Sequence, residues 1–113
     1  MKKISTHVLD LMRGTPASGV SAQLEQRDTS GNWRALGSGV TDQDGRCAQL
    51  LPRDELLPGL YRLSFDTASY FNAHKIAGLY PVVTVTFQVR EGESQFHIPL
   101  LLSANGYTTY RGS

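Results

Sequence analysis

The sequence predicts an all-β sandwich or barrel, formed as a single domain over residues 1–113. Three observations carry that reading. Turn signals recur at short intervals: Gly14-Thr15-Pro16, Ser30-Gly31-Asn32, Asp44-Gly45, Leu57-Pro58-Gly59, Glu91-Gly92-Glu93 and Asn105-Gly106. The segments between them are short, and they alternate or are rich in β-branched and aromatic residues. Only one stretch departs from this rhythm towards helical spacing.

The first strand is expected over 6–13, from Thr6-His7-Val8-Leu9-Asp10-Leu11-Met12. Alternation there groups His7 with Leu9 and Leu11, and Val8 with Met12, without saying which face is the core. Strands over 20–27 and 32–40 flank Ser30-Gly31-Asn32, a short one over 46–50 follows Asp44-Gly45, and Leu57-Pro58-Gly59 opens another over 59–66. Thr67 to Lys75 then breaks the pattern. Tyr70, Phe71 and His74 lie near helical spacing, and Thr67 or Ser69 is placed to cap a short helix. The clearest strand is expected over 82–90, where Val82-Val83-Thr84-Val85-Thr86-Phe87-Gln88-Val89 has high β-propensity. Glu91-Gly92-Glu93 reads as a hairpin tip joining it to a strand over 94–103. Phe96, Ile98, Leu100 and Leu102 alternate in that strand and should point into the core. The last strand is expected over 106–112.

Composition narrows the function classes. A chain of 113 residues can bury a core without metal or disulfide staples. Its 40% hydrophobic and 19% charged residues are ordinary for a soluble domain. The net charge is +1 and no basic run exceeds Lys2-Lys3, which argues against nucleic acid or an anionic membrane as partner. No apolar segment is long enough for a transmembrane helix. The single Cys47 has no internal disulfide partner and fits a reducing compartment. Met1-Lys2-Lys3 is not followed by the apolar stretch of a signal peptide, so the expected location is cytoplasmic, or periplasmic if a leader has been removed.

Few residues are placed to carry chemistry. His97 lies on the face opposite Phe96, Ile98, Leu100 and Leu102, and shares its own face with Gln95, Pro99 and Leu101. Leu101 is out of place in full solvent, so this mixed face reads as a subunit interface or a groove. His97 is then either a structural interface histidine or a general base acting near neutral pH. His7, alone on its strand, reads by itself as structural. Arg46 is either a solvated edge charge or a fork donor for an anionic or carbonyl-rich ligand. Cys47, on the opposite face from Arg46, reads as a small buried hydrophobe. His7, His74 and His97 lack metal-ligand spacing, and neither a Gly-x-Ser-x-Gly elbow nor a glycine-rich phosphate loop is present. Tyr110-Arg111-Gly112-Ser113, by contrast, sets a ring, a guanidinium, a glycine and a hydroxyl directly after a strand.

These residues together resemble the 5-hydroxyisourate hydrolase branch of the transthyretin-like family. The matching pieces are His7-Val8-Leu9-Asp10 with Gly14-Thr15-Pro16-Ala17, Asp44-Gly45-Arg46, Leu57-Pro58-Gly59-Leu60-Tyr61, Phe65-Asp66-Thr67 with Tyr70-Phe71, and Tyr80-Pro81-Val82-Val83. The last is Phe96-His97-Ile98-Pro99-Leu100-Leu101-Leu102-Ser103, followed by the terminal Tyr110-Arg111-Gly112-Ser113, which is the piece that separates the hydrolases from the hormone carriers. The resemblance implies a two-sheet antiparallel sandwich of eight strands with one short helix. It also implies a homotetramer with its sites between dimers, and no metal or organic cofactor. The implied reaction is hydrolysis of a cyclic amide in 5-hydroxyisourate, a product of urate oxidation, to 2-oxo-4-hydroxy-4-carboxy-5-ureidoimidazoline. On this resemblance His7 and His97 hold and deprotonate water, and Arg46 binds substrate and stabilises negative charge. Ser113 completes the polar rim through its hydroxyl or carboxylate, while Tyr110, Arg111 and Gly112 shape the pocket floor. Regular alternation cannot bring all four terminal residues to one pocket, so either the terminus leaves strand geometry or two subunits share the site. The rival expectation is a non-enzymatic binding protein of the same fold, holding a small ligand in an apolar channel.

Overall fold

The computed structural model describes all residues from Met1 to Ser113. Two sheets face each other across one core, with a single helix at one end. The strands are β1 (Lys3–Asp10), β2 (Thr15–Pro16), β3 (Ser21–Arg27), β4 (Trp33–Val40), β5 (Arg46–Cys47), β6 (Gly59–Phe65), β7 (Val83–Val89), β8 (Gln95–Ser103) and β9 (Gly106–Thr109), and the helix α1 spans Thr67–Ala73. One sheet runs β2-β1-β8-β9 with β5 also paired to β1, and the other runs β4-β3-β6-β7. The sandwich with one short helix is therefore as expected. The two-residue β2 is added to the eight anticipated segments.

Alternation settles the faces. Ile4 and Val8 of β1 and Phe96, Ile98, Leu100 and Leu102 of β8 are buried against Leu24, Leu63, Phe65 and Val83 of the second sheet. Aromatic rings bridge the layers, with the Phe87 and Phe96 centroids 5.6 Å apart. His7 and His97 consequently share the outer face of the first sheet.

Several boundaries differ from expectation, each for a local reason. β1 ends at Asp10, not at residue 13, because the Asp10 carboxylate accepts from the backbone N–H groups of Met12 and Arg13 and so builds a turn. β5 stops at Cys47, not at residue 50. There the Gln49 side chain replaces the ladder, accepting from the N–H groups of Ile4 and Leu51 and donating to the Lys2 carbonyl. The helix cap is Asp66, neither Thr67 nor Ser69. Its carboxylate accepts from both the backbone and the hydroxyl of Ser69.

Two expectations about pairing are corrected. Glu91-Gly92-Glu93 is not a hairpin tip: β7 pairs with β6 and β8 with β1 and β9, so this turn carries the chain from one sheet to the other. One pairing in the sandwich, β1 with β8, is parallel, with Ser5 beside His97 and His7 beside Pro99. The two strands lie at opposite ends of the sequence and no tight turn joins them, so no hairpin dictates their direction.

Candidate active site

The β1–β8 pair is the floor of the site. In parallel register, outward-facing Lys3, Ser5 and His7 of β1 stand beside Gln95, His97 and Pro99 of β8. β5 then adds Arg46 directly opposite His7. The turn before β5 puts it there. Gly45 has φ +74°, and a side chain at that position would run into the Val8 carbonyl. The Gly45 carbonyl accepts from the Val8 N–H at 2.8 Å, while the Asp42 carboxylate accepts from the N–H groups of Asp44 and Arg46. These bonds hold the Asp42 carboxyl below its usual range, the Arg46 N–H being the largest cause.

A cleft of about 330 Å³ opens here, lined by Lys3, Ser5, Arg46, His97, Gly112 and Ser113 among others. His97 is half-buried. Its Nδ1 shares a 2.8 Å hydrogen bond with Ser5 Oγ, leaving Nε2 as the ring nitrogen available to the cleft. Burial lowers its pKa from the ordinary histidine value, and the positive charges of Arg46, His7 and Lys3 lower it further. Its neutral form is therefore the one present near pH 7. His7 stands at the edge of this arrangement and does not line the cleft itself. Its Nε2 lies 2.8 Å from the Asp44 carbonyl oxygen. A carbonyl only accepts, so Nε2 carries a proton, and whenever the ring is neutral its lone pair lies on Nδ1. Arg46 makes no side-chain hydrogen bond or ion pair, which leaves its fork of donors free for a ligand.

The alternation problem dissolves because the four terminal residues do not all line one pocket. β9 ends at Thr109, yet a single bridge joins Gly112 to His97 in phase with the β8–β9 register. Tyr110 falls opposite Pro99, which has no N–H for the ladder. The Pro99 carbonyl accepts instead from the Thr109 hydroxyl at 2.7 Å. After this gap the Gly112 N–H donates to the His97 carbonyl at 2.7 Å. A Cβ on Gly112 would lie 2.5 Å from His97 Cδ2, so only glycine lets the tail pass this close to the ring.

Gly112 and Ser113 thus reach the cleft, whereas Tyr110 and Arg111, expected on the pocket floor, do not line it within one chain. They border a groove between the sheet edges with Phe87, Phe96 and Ile98. Arg111 donates to Glu93 Oε2 at 3.0 Å and to the Gln95 carbonyl at 3.2 Å, with its guanidinium 4.4 Å above the Phe96 ring. In this position Arg111 anchors the tail. Ser5 and Lys3 escaped the sequence reading because the first strand was expected to begin after them. Their signal was the polar-apolar alternation of Lys3-Ile4-Ser5, which continues that of β1. His74 plays no part here, while Cys47 lines the cleft beside Arg46. His74 caps α1, with its Nδ1 2.9 Å from the Tyr70 carbonyl. Cys47 packs against the core, and burial pushes its thiol pKa up.

A sequence model of the HIUase/Transthyretin family matches residues 4–112. The chain is 44% identical over 110 residues to a 5-hydroxyisourate hydrolase of Salmonella dublin, covering 97% of this chain and 80% of that protein. Among solved structures it is similar to transthyretin from Sparus aurata, with a TM-score of 0.92, 31% identity and coverage of 99% and 97% of the two chains. It is likewise similar to Klebsiella pneumoniae 5-hydroxyisourate hydrolase, with a TM-score of 0.86, 32% identity and coverage of 98% and 99%.

Proposed function

The chain belongs to the HIUase/Transthyretin family, and from that premise we propose that it is a hydrolase opening the cyclic amide of 5-hydroxyisourate in urate degradation. The observation that carries this reading is the neutral, cleft-facing His97 beside the unpaired Arg46. A channel for an apolar ligand would leave these polar groups without partners, so the carrier-like reading fits the cleft poorly.

The chemistry runs through this chain's own groups. His97 Nε2 takes a proton from water as its oxygen attacks the substrate carbonyl. Arg46 donates to the carbonyl oxygen as negative charge grows on it. When the carbon–nitrogen bond breaks and the ring opens, the imidazolium returns the proton to the departing nitrogen, and the carbonyl carbon becomes a carboxylic acid that releases its remaining proton to solvent. His7, its Nε2–H held by Asp44, offers Nδ1 as an acceptor at the edge of the cleft. Ser113 completes the polar rim. Gly112 holds the tail against His97, and Tyr110 and Arg111 act by seating that tail.

A homotetramer completes the site in this proposal. Leu9 and Leu101 are half-buried on the outer face that carries His7 and His97. A second copy facing across the cleft covers them and excludes water from the reaction.

The test is the ultraviolet decay of freshly generated 5-hydroxyisourate, corrected for its unaided breakdown. The protein should accelerate it clearly, and His97→Asn or Arg46→Ala should cut turnover at least ~100-fold. Turnover within a few-fold of wild type in either variant overturns the role of that residue.

A further inference from the structure

We propose that Ser5 is a positioning residue that fixes the proton of His97 on Nδ1 and so keeps the Nε2 lone pair directed at the cleft. The proposal rests on the reading of His97 as the base. Ser5 sits beside His97 in the parallel β1–β8 register, at a separation of 92 positions in the sequence. It is only 8% exposed, and its hydroxyl is 2.8 Å from Nδ1. The hydroxyl has no other hydrogen-bond partner.

A serine hydroxyl can donate to an imidazole nitrogen or accept from its N–H. Here the surroundings of the ring decide between the two. Lys3 and Arg46 line the same cleft as His97. A lone pair on Nε2 faces those cations favourably, whereas an Nε2–H would present a positive end to them. The proton therefore belongs on Nδ1, where Ser5 Oγ accepts it; without that acceptor the half-buried Nδ1–H would be left unpaired and the proton would move to the cleft-facing Nε2. Gly112 packs against Cδ2 on another side of the ring and limits its rotation. The two histidines are thereby sorted into opposite proton arrangements. His7 carries its proton on Nε2, towards a carbonyl, and His97 carries its proton on Nδ1, towards a hydroxyl. Only His97 then offers Nε2 as a base.

Nitrogen-15 spectra of the histidine rings, taken at a pH where His97 is neutral, test this without substrate. Wild type should show the Nδ1–H form for His97. Ser5→Ala should shift it towards Nε2–H, and Ser5→Thr, which keeps the hydroxyl, should restore it. In the decay assay Ser5→Ala should lower kcat at least about tenfold with little change in KM, and Ser5→Thr should recover most of the loss. An Nε2–H form in wild type overturns the proposal, and that spectrum suffices if Ser5→Ala fails to fold. An unchanged ring form and unchanged kcat in a folded Ser5→Ala protein overturn it as well. If the spectra behave as expected but wild type leaves 5-hydroxyisourate untouched, the substrate reading fails and the positioning role of Ser5 stands.

Discussion

His97, the proposed base, is half-buried among cations, and burial first and then those charges set the pH range of the proposed role. A general base must be unprotonated. Burial, Arg46, His7 and Lys3 all press its pKa below the ordinary histidine value of about 6.5. The rate constant kcat/KM should therefore hold steady as pH falls from neutral to about 6.5 and drop only on further acidification. Lys3→Gln removes one of the cations and should move that acid limb upward. A wild-type profile already falling above the ordinary value would contradict the assignment. The same shift bears on stability. The unfolded chain takes up this proton at higher pH than the folded one, so His97's contribution is complete above the unfolded value and is lost as pH falls through the folded one. Reading residues in isolation singled out His97 and Arg46 as candidates because their types announce chemistry, whereas His7, structural when read by itself, entered only through the family resemblance. It missed Ser5, whose type announces nothing, because only the parallel register with β8 gives its hydroxyl a task.

At the level of elements, the terminal segment is a strand interrupted once. Pro99 removes the rung opposite Tyr110, and Gly112 restores contact at His97. Gly112→Ala introduces a Cβ that meets His97 Cδ2 at 2.5 Å and Pro99 Cγ at 3.2 Å. Either the ring or the tail must yield. Activity should fall at least about tenfold while the thermal midpoint stays close to wild type, because the core lies on the other face of β8. Unchanged kinetics would show that the tail is not held where the structure has it. Element existence was legible in the sequence because turn residues and alternation are local signals. The partners of each strand were not. β7 and β8 are consecutive, which invites a hairpin, yet their ladders lie in different sheets. The ends of β1 and β5 were hidden for a related reason: the side chains of Asp10 and Gln49 take over backbone hydrogen bonds that a strand would otherwise use.

For the whole molecule, the cleft of a single chain is open, with Arg46 and Ser113 exposed and His97 only half-covered. Several large apolar side chains, among them Leu79, Val82 and Tyr110, are more than half exposed as well. Such surfaces fit subunit contacts. Light scattering on the purified protein should give a native mass four times that of one chain. A monomer with full activity would remove the need for a facing copy. The parallel pairing of β1 with β8 has one further consequence, in the order of events during folding. The site joins the first strand to the penultimate one, so it cannot exist until almost the entire chain has been made and the longest loop closed. Its appearance is a late, non-local step of the kind that makes β sandwiches slow to fold. During refolding, catalytic competence will trail the return of β-sheet signal, and the enzyme's own turnover becomes a clock for the last stage of its folding.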